Sequence, residues 1–373
     1  MELRREGLLV SRRFWDPTGT EREQPVSQQE LLHFVTDLLP DWRVTRRRVL
    51  ALGSLALVHR RRLTLTGIAR GLDSRTRVLH RVKRIWRFLS NRGVDPRAVV
   101  GALARRAVAL RTEGWVPVIF DETGLKERAL LLCAGTWYRG RALPLAMYAY
   151  QNPKIKKSLW AYREGLLSAI WGALPETERS RLLFIADRGY DASAFFRRLV
   201  KAQITFAIRV PRRVLISMAH QQLNLEFLAA QLNHGDCYFL TDVLYGPAKA
   251  KLKLLLWWEP EQPEPWLIAT TLSSAEETKR AYRLRMGIEE LFKDLKHTFA
   301  LESGQCQSTD RITRLGLFAL ISLWVLARLV RYPENWIRYV TARGALSFLT
   351  LALEWLDAPP HLRRYIRQEA RCG

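Results

Sequence analysis

Apolar positions along this chain follow two regimes. Up to about residue 111, and again beyond residue 304, they recur at helical spacing. Between those limits lie short apolar runs bounded by turn residues, which predict strands. In the first region, residues 63–72 predict one short helix and residues 75–90 another. The second buries Val78, Val82, Ile85 and Leu89, with Asp73 or Ser74 as its cap, because a short side-chain oxygen satisfies the free amides there. A linker at 93–96 and a helix at 97–111 lead on. Runs at 115–120, 129–133, 142–150, 182–186 and 204–210 predict strands, with helices at 157–174 and 192–201. This order is a mixed α/β layer.

From 212 to 271 the pattern changes to strands at 238–244, 251–258 and 266–271 with Pro and Gly between them, a β-rich insertion. Ser273-x-x-Glu276 reads as a capping box that opens one long helix running through Lys296. Further helices fall near 310–331 and 345–356. The expected organisation is a helical domain at 1–111, an α/β domain at 112–303 carrying the insertion, and a helical C-terminal region at 304–373.

At 373 residues and 48% hydrophobic composition the chain can bury a sizeable core. Charge changes the picture more: 60 Lys and Arg face 36 acids, a net +24. Such an excess points to a polyanionic partner, nucleic acid first. Between residues 41 and 93, 15 Lys and Arg face only Asp41 and Asp73. Two short helices with a basic second one resemble a helix-turn-helix, so Arg77, Arg81 and Arg84 are candidate DNA contacts. Basic helices that only touch phosphates have the same appearance. The best apolar run, 315–327, is short for a bilayer and is followed by Arg328, so a buried helix and no membrane partner are expected. The charged start, Met1-Glu2-Leu3-Arg4-Arg5-Glu6, shows no signal peptide and predicts a cytoplasmic protein.

Cys133, Cys237, Cys306 and Cys372 are scattered, without zinc spacing. The chain has no Gly-rich phosphate loop, no Gly-x-Ser-x-Gly and no His-Glu-x-x-His. Carboxylate–metal chemistry is what remains. On a helix, Tyr282, Arg285, Glu289 and Lys296 fall within an arc of roughly 60°, with Lys293 on the same side. Leu284, Ile288, Leu291 and Leu295 form a separate stripe. A solvated charged face is the alternative. Asp121 and Asp187 each follow an apolar strand, where an Asp can also simply start a turn. Taken together, Asp121, Asp187 and Glu289 can hold two divalent cations roughly 3.5–4 Å apart. Hard oxygen ligands favour Mg²⁺, with Mn²⁺ as a substitute.

With these residues the chain resembles bacterial insertion-sequence transposases of the DDE class, cut-and-paste type. The subgroup signature is Tyr-x2-Arg-x3-Glu-x6-Lys, matched by Tyr282, Arg285, Glu289 and Lys296 without a gap; Ile185-Ala186-Asp187-Arg188-Gly189-Tyr190 surrounds the second acid. The resemblance covers about residues 116–299. It implies a ribonuclease-H-like (retroviral-integrase-like) catalytic core with a β insertion before the glutamate helix. It implies catalytic, metal-holding roles for Asp121, Asp187 and Glu289, and phosphate contacts for Arg188, Tyr282, Arg285 and Lys296. Lys293 shares that DNA-facing side. Members that cut through a hairpin hold a flipped base against a late Trp of the insertion, a role that falls on Trp266, with packing as its alternative. Trp257 and Trp258 are weaker choices. The partners implied are double-stranded DNA, as element ends and target, and a second copy of the chain in a synaptic homodimer, with a nucleoid-associated location. A DNA-binding relative without catalysis and a nuclease that never joins strands are the competing readings.

Overall fold

The computed structural model describes residues 27–126, 129–151, 159–329 and 348–358. Cys372 and residues 1–26 lie outside that set. Five helices open it: α1 (Gln28–Leu38), α2 (Val44–Arg60), α3 (Leu65–Gly71), α4 (Val78–Ser90) and α5 (Pro96–Ala109). α1 begins with a capping box, Ser27 Oγ accepting from Glu30 N while Ser27 N donates to the Glu30 carboxylate. Asp95 caps α5, and Pro96 fills the first turn, where no amide is needed.

α4 departs from the sequence expectation. It starts at Val78, its N-cap Arg77 makes no side-chain cap bond, and Ser74 Oγ instead pairs with Thr76 in the preceding loop. Val78 is 41% exposed, and Ile85, Phe88 and Leu89 carry the burial.

The described strands form one ten-stranded sheet in the order β3-β2-β1-β4-β5-β10-β9-β8-β6-β7. Their ranges are β1 (Val116–Leu125), β2 (Ala129–Tyr138), β3 (Arg141–Tyr150), β4 (Leu182–Ala186), β5 (Thr205–Arg209), β6 (Leu215–Met218), β7 (Gln221–Asn224), β8 (Cys237–Tyr245), β9 (Ala250–Trp257) and β10 (Trp266–Thr270). β1, β4 and β5 run parallel, while β2 and β3 form antiparallel hairpins beside β1. The insertion is therefore no separate layer. β10 pairs antiparallel with β5, Ile268 opposite Arg209, and carries the same sheet onward. β6 and β7 escaped the sequence reading because each is only four residues long and largely exposed or half-exposed, and β7 is mostly polar.

α6 (Leu159–Gly172), the single turn α7 (Glu176–Arg179) and α8 (Ser193–Lys201) connect the parallel strands, and α9 (Leu225–Ala230) lies in the insertion. The long helix expected before Lys296 is broken into pieces. α10 (Ala275–Arg283) stops, the chain turns through Leu284 and Arg285, and α11 (Met286–Lys293) follows, ending in a π-helical segment, Asp294–Thr298. The cap also moves by one residue: Ser274 Oγ accepts from Glu277 N, while Ser273 donates to the Glu277 carboxylate.

α12 (Thr309–Leu329) ties the helical region to the sheet, and a last helix, α13 (Phe348–Asp357), packs on it. Trp324 Nε1 donates to Pro144 O at 2.7 Å on β3; Ser322 Oγ donates to Ser54 O at 3.0 Å on α2. At 21 residues α12 is longer than the run seen in sequence and could cross a bilayer by length and composition. Yet 83% of its most apolar stretch is buried inside the molecule. Its faces are spent within the chain.

Candidate active site

β1 pairs with β4 as far as Phe120 opposite Ala186, and β4 with β5 as far as Ala186 opposite Ile208. The next residue in each strand is Asp121, Asp187 and Arg209, side by side at the carboxyl edge, where open α/β sheets bind ligands. Asp121 does not end its strand, as expected; β1 runs on against β2 to Leu125, and Asp121 sits where β1 outruns β4. Glu289 comes from α11, which packs on β3.

One guanidinium joins the three acids. Arg285 Nη1 lies 3.2 Å from Asp121 Oδ2 and 3.9 Å from Asp187 Oδ2, and Arg285 Nη2 donates to Glu289 Oε1 at 2.5 Å. The break between α10 and α11 places Arg285 there, at the turn rather than on a continuous helix face. Burial, helped by Asp187 and Glu289, raises the Asp121 carboxyl to about 6 against the opposing pull of Glu122 N and Arg285. Burial opposes the charge on Arg285, but Tyr282 and the three acids outweigh it and raise its pKa.

The other signature residues divide. Tyr282 is buried and donates to Asp187 Oδ1 at 3.3 Å, so its hydroxyl faces the acids. Lys296 pairs with Glu302 at 3.3 Å and Lys293 with Glu290 at 2.6 Å. Both amines end on acids outside the trio. For Lys296 the π-helical winding after Lys293 changes the angular spacing on which the arc depended, whereas Lys293 lies before it, four residues beyond Glu289 on α11. His297 is exposed.

Trp266 is 8% exposed and makes edge contacts with Trp257 at 5.2 Å and Tyr282 at 5.1 Å. In this state it is a packing residue. Arg81 donates from Nη1 to Leu72 O at 2.7 Å, tying α4 to the end of α3. Arg77 and Arg84 are exposed. Arg84 lines a 570 Å³ cleft with Arg46, His80, Lys83 and Arg87, a basic site with no acid in its wall.

Several residues that brace this edge of the sheet were missed in sequence. Glu122 follows Asp121 and points to the opposite side of the strand. It accepts from Tyr150 Oη at 2.5 Å, Arg163 Nε at 2.7 Å and Tyr190 Oη at 3.4 Å. Arg163 also donates to Gly189 O and lies 4.3 Å over the Tyr190 ring, which fixes the turn carrying Arg188 behind Asp187. The Asp121-Glu122 doublet was the signal. Arg209 and Glu264 carried none, since only the strand register brings them to this edge.

The donor set suits a hard divalent cation: every ligand is a carboxylate oxygen, and three negative charges share one guanidinium. The oxygens are held apart around Arg285, and among the described residues no three His, Cys, Asp or Glu side chains form a group that could hold an ion. A bound cation would have to take the place of the guanidinium.

Residues 169–325 match the family model for the transposase DDE domain. The matched span contains Asp187 and Glu289 and begins after Asp121. No curated protein matches the chain. Among solved structures it is similar to the cryo-electron-microscopy structure of the piggyBac transposase synaptic complex with hairpin DNA. Identity there is 10% and the TM-score 0.42, over 92% of this chain and 82% of that one.

Proposed function

We propose that this chain is a DNA transposase that binds terminal inverted repeats, cleaves element ends and joins the 3′-hydroxyl ends to target DNA. The supporting observation is the contact of Arg285 with Asp121, Asp187 and Glu289, which draws acids from two strands and a helix to one point at the sheet edge. The strand order β3-β2-β1-β4-β5, with the carboxylates on β1 and just past β4, fits a ribonuclease-H-like core extended by the insertion. Asp121, Asp187 and Glu289 would hold Mg²⁺, or Mn²⁺ in its place, which when bound supplies Lewis-acid polarisation of a phosphodiester. Tyr282 orients the Asp187 carboxylate through its hydroxyl, and Arg285, once released from the acids, is placed to bind the phosphate they act on. Exposed Arg77 and Arg84 on α4 would grip the duplex through its backbone, and a homodimer would pair two ends. The net charge of +24 suits a nucleoid-associated cytoplasmic protein.

The test is incubation of the full chain with the DNA flanking its gene plus Mg²⁺, scoring nicked, hairpin and joined products. Asp121→Asn, Asp187→Asn and Glu289→Gln are each expected to abolish cleavage while sparing binding. Cleavage by all three variants overturns the assignment, and cut ends without joined product reduce it to a nuclease.

A further inference from the structure

Glu264, in the connection between β9 and β10, is held by three arginines. Arg209 Nη2 donates to its Oε1 at 2.6 Å, Arg188 Nη2 donates to the same oxygen, and Arg212 Nη2 reaches Oε2 at 3.4 Å. Arg209 follows Ile208 at the end of β5, in register beside Asp187, so this cluster lies one strand along the edge from the acids, a step of about 4.8 Å. Its guanidinium is largely buried, 6.0 Å over the Trp266 ring, which fixes its direction. Arg188 and Arg212 close over the outside with side chains about two-fifths exposed.

Three guanidiniums around one carboxylate are not electrically balanced. The cluster keeps an excess positive charge, and each planar fork has donors that two carboxylate oxygens cannot occupy. Burial pushes the Glu264 carboxyl up, but Arg209 and Arg188 outweigh it and hold it ionised. A DNA phosphodiester carries the same single charge as Glu264 and the acceptor geometry that arginine forks match.

We propose that Arg188, Arg209 and Arg212 form a phosphodiester site for the DNA strand passing the acids, filled in the free protein by the Glu264 carboxylate, which yields to a backbone phosphate. The proposal rests on the DNA-processing reading above and adds to it a second phosphate subsite and the residue that guards it.

The test is anisotropy of a fluorescein-labelled duplex of mixed sequence with the full chain. Glu264→Gln is expected to bind about tenfold tighter than wild type, since the competing anion is gone. Glu259→Gln is the matched control. It removes the same charge from the same connection but frees only Arg283, its partner at 2.6 Å. Its affinity should stay within about twofold of wild type. Arg212→Ala, at an exposed side chain, should weaken wild-type binding and erase most of the gain in the Glu264→Gln background. Equal or weaker binding by Glu264→Gln, or an equal gain from Glu259→Gln, overturns the proposal. If wild type binds duplex and Glu264→Gln does not tighten it, this proposal fails and the transposase reading stands; if wild type binds no duplex, the transposase reading fails as well.

Discussion

The Arg285 guanidinium lies 3.2 Å from the Asp121 carboxylate, across 164 positions of sequence. This contact, with those to Asp187 and Glu289, lets three acids share a small volume without a metal. Removing the cation leaves partly buried charges facing one another, a change that costs about 3 kcal/mol in other proteins. Arg285→Ala is therefore expected to unfold at lower urea than wild type in EDTA at neutral pH. Equal midpoints would mean that the acids are too well solvated to need Arg285.

Asp294 opens the π-helical segment and accepts from Arg141 Nη1 at 2.7 Å. Burial pushes its carboxyl up to about 6; Arg141 pulls it down without cancelling the burial. Its usual value is near 3.8, so between these limits the folded chain holds a proton that the unfolded chain has released. The stability this proton contributes is present at low pH and is lost as pH rises through about 6, by about 3 kcal/mol in full. The stability of wild type minus that of Asp294→Asn, from urea unfolding, should therefore fall as pH rises from about 4 to about 7. A wild type that gains stability relative to Asp294→Asn as pH rises contradicts the buried-acid account.

Trp266 offers a contest between two roles. As a packing residue between Trp257 and Tyr282, its truncation to Ala should lower stability by about 3–5 kcal/mol and slow nicking and hairpin formation alike. As a stacking platform for a flipped base it should leave the melting temperature unchanged and slow the hairpin step alone. Thermal unfolding beside a product time course separates them, and the burial of the ring favours the first outcome.

What the sequence made legible was chiefly what local pattern encodes. The β4 run 182–186 matches the observed strand, and the apolar runs of β1, β5, β9 and β10 were found to within a few residues, because buried strands read as continuous apolar stretches. Asp121, Asp187 and Glu289 were singled out as a trio, and the fold brings all three within 3.9 Å of Arg285. The angular argument around them was less sound, for it assumed one straight helix from 273 to 296. Nothing local announces the turn at Leu284–Arg285 or the π winding after Lys293, since both follow from docking on the sheet. Lys296, beyond both irregularities, pairs with Glu302 for that reason. Arg81 and Val78 show the same limit: helical spacing cannot tell which face meets a neighbour until the neighbour is placed. The Arg209–Glu264 pair depends wholly on β5 lying beside β10, a long-range pairing that no spacing reports.

Arg163 is 7% exposed and joins Glu122 to the backbone of the turn after Asp187. Replacing it with Met keeps much of the volume but leaves Glu122 buried without its charge partner, a loss of about 3–5 kcal/mol. Calorimetry should show the drop. Lys at the same position should recover part of the stability through Glu122, yet not the fork that also reaches Gly189, so end cleavage should stay impaired. Full activity in Arg163→Lys would show that the turn needs no such brace.

Gly287 decides where Glu289 stands. A glycine inside a helix is unfavourable by about 1 kcal/mol relative to Ala, which calls for a reason in packing. Here the reason is close approach: a Cβ on Gly287 would lie 2.7 Å from the Trp137 ring and 3.0 Å from Ala142 N. The indole could rotate, but the β3 backbone at Ala142 cannot retreat without breaking its pairing with β2 at Trp137. Gly287→Ala should therefore push α11 outward from the hairpin and carry Glu289, two residues on, away from Asp121 and Asp187. Helix propensity gained and packing lost oppose each other, so the net stability change should be small, about 1–2 kcal/mol of destabilisation. End cleavage, which needs three acids at one point, should fall by far more than that figure implies, with DNA binding unchanged. A variant that cleaves normally would mean that α11 is not held to the sheet at this contact and that Glu289 takes its position from elsewhere.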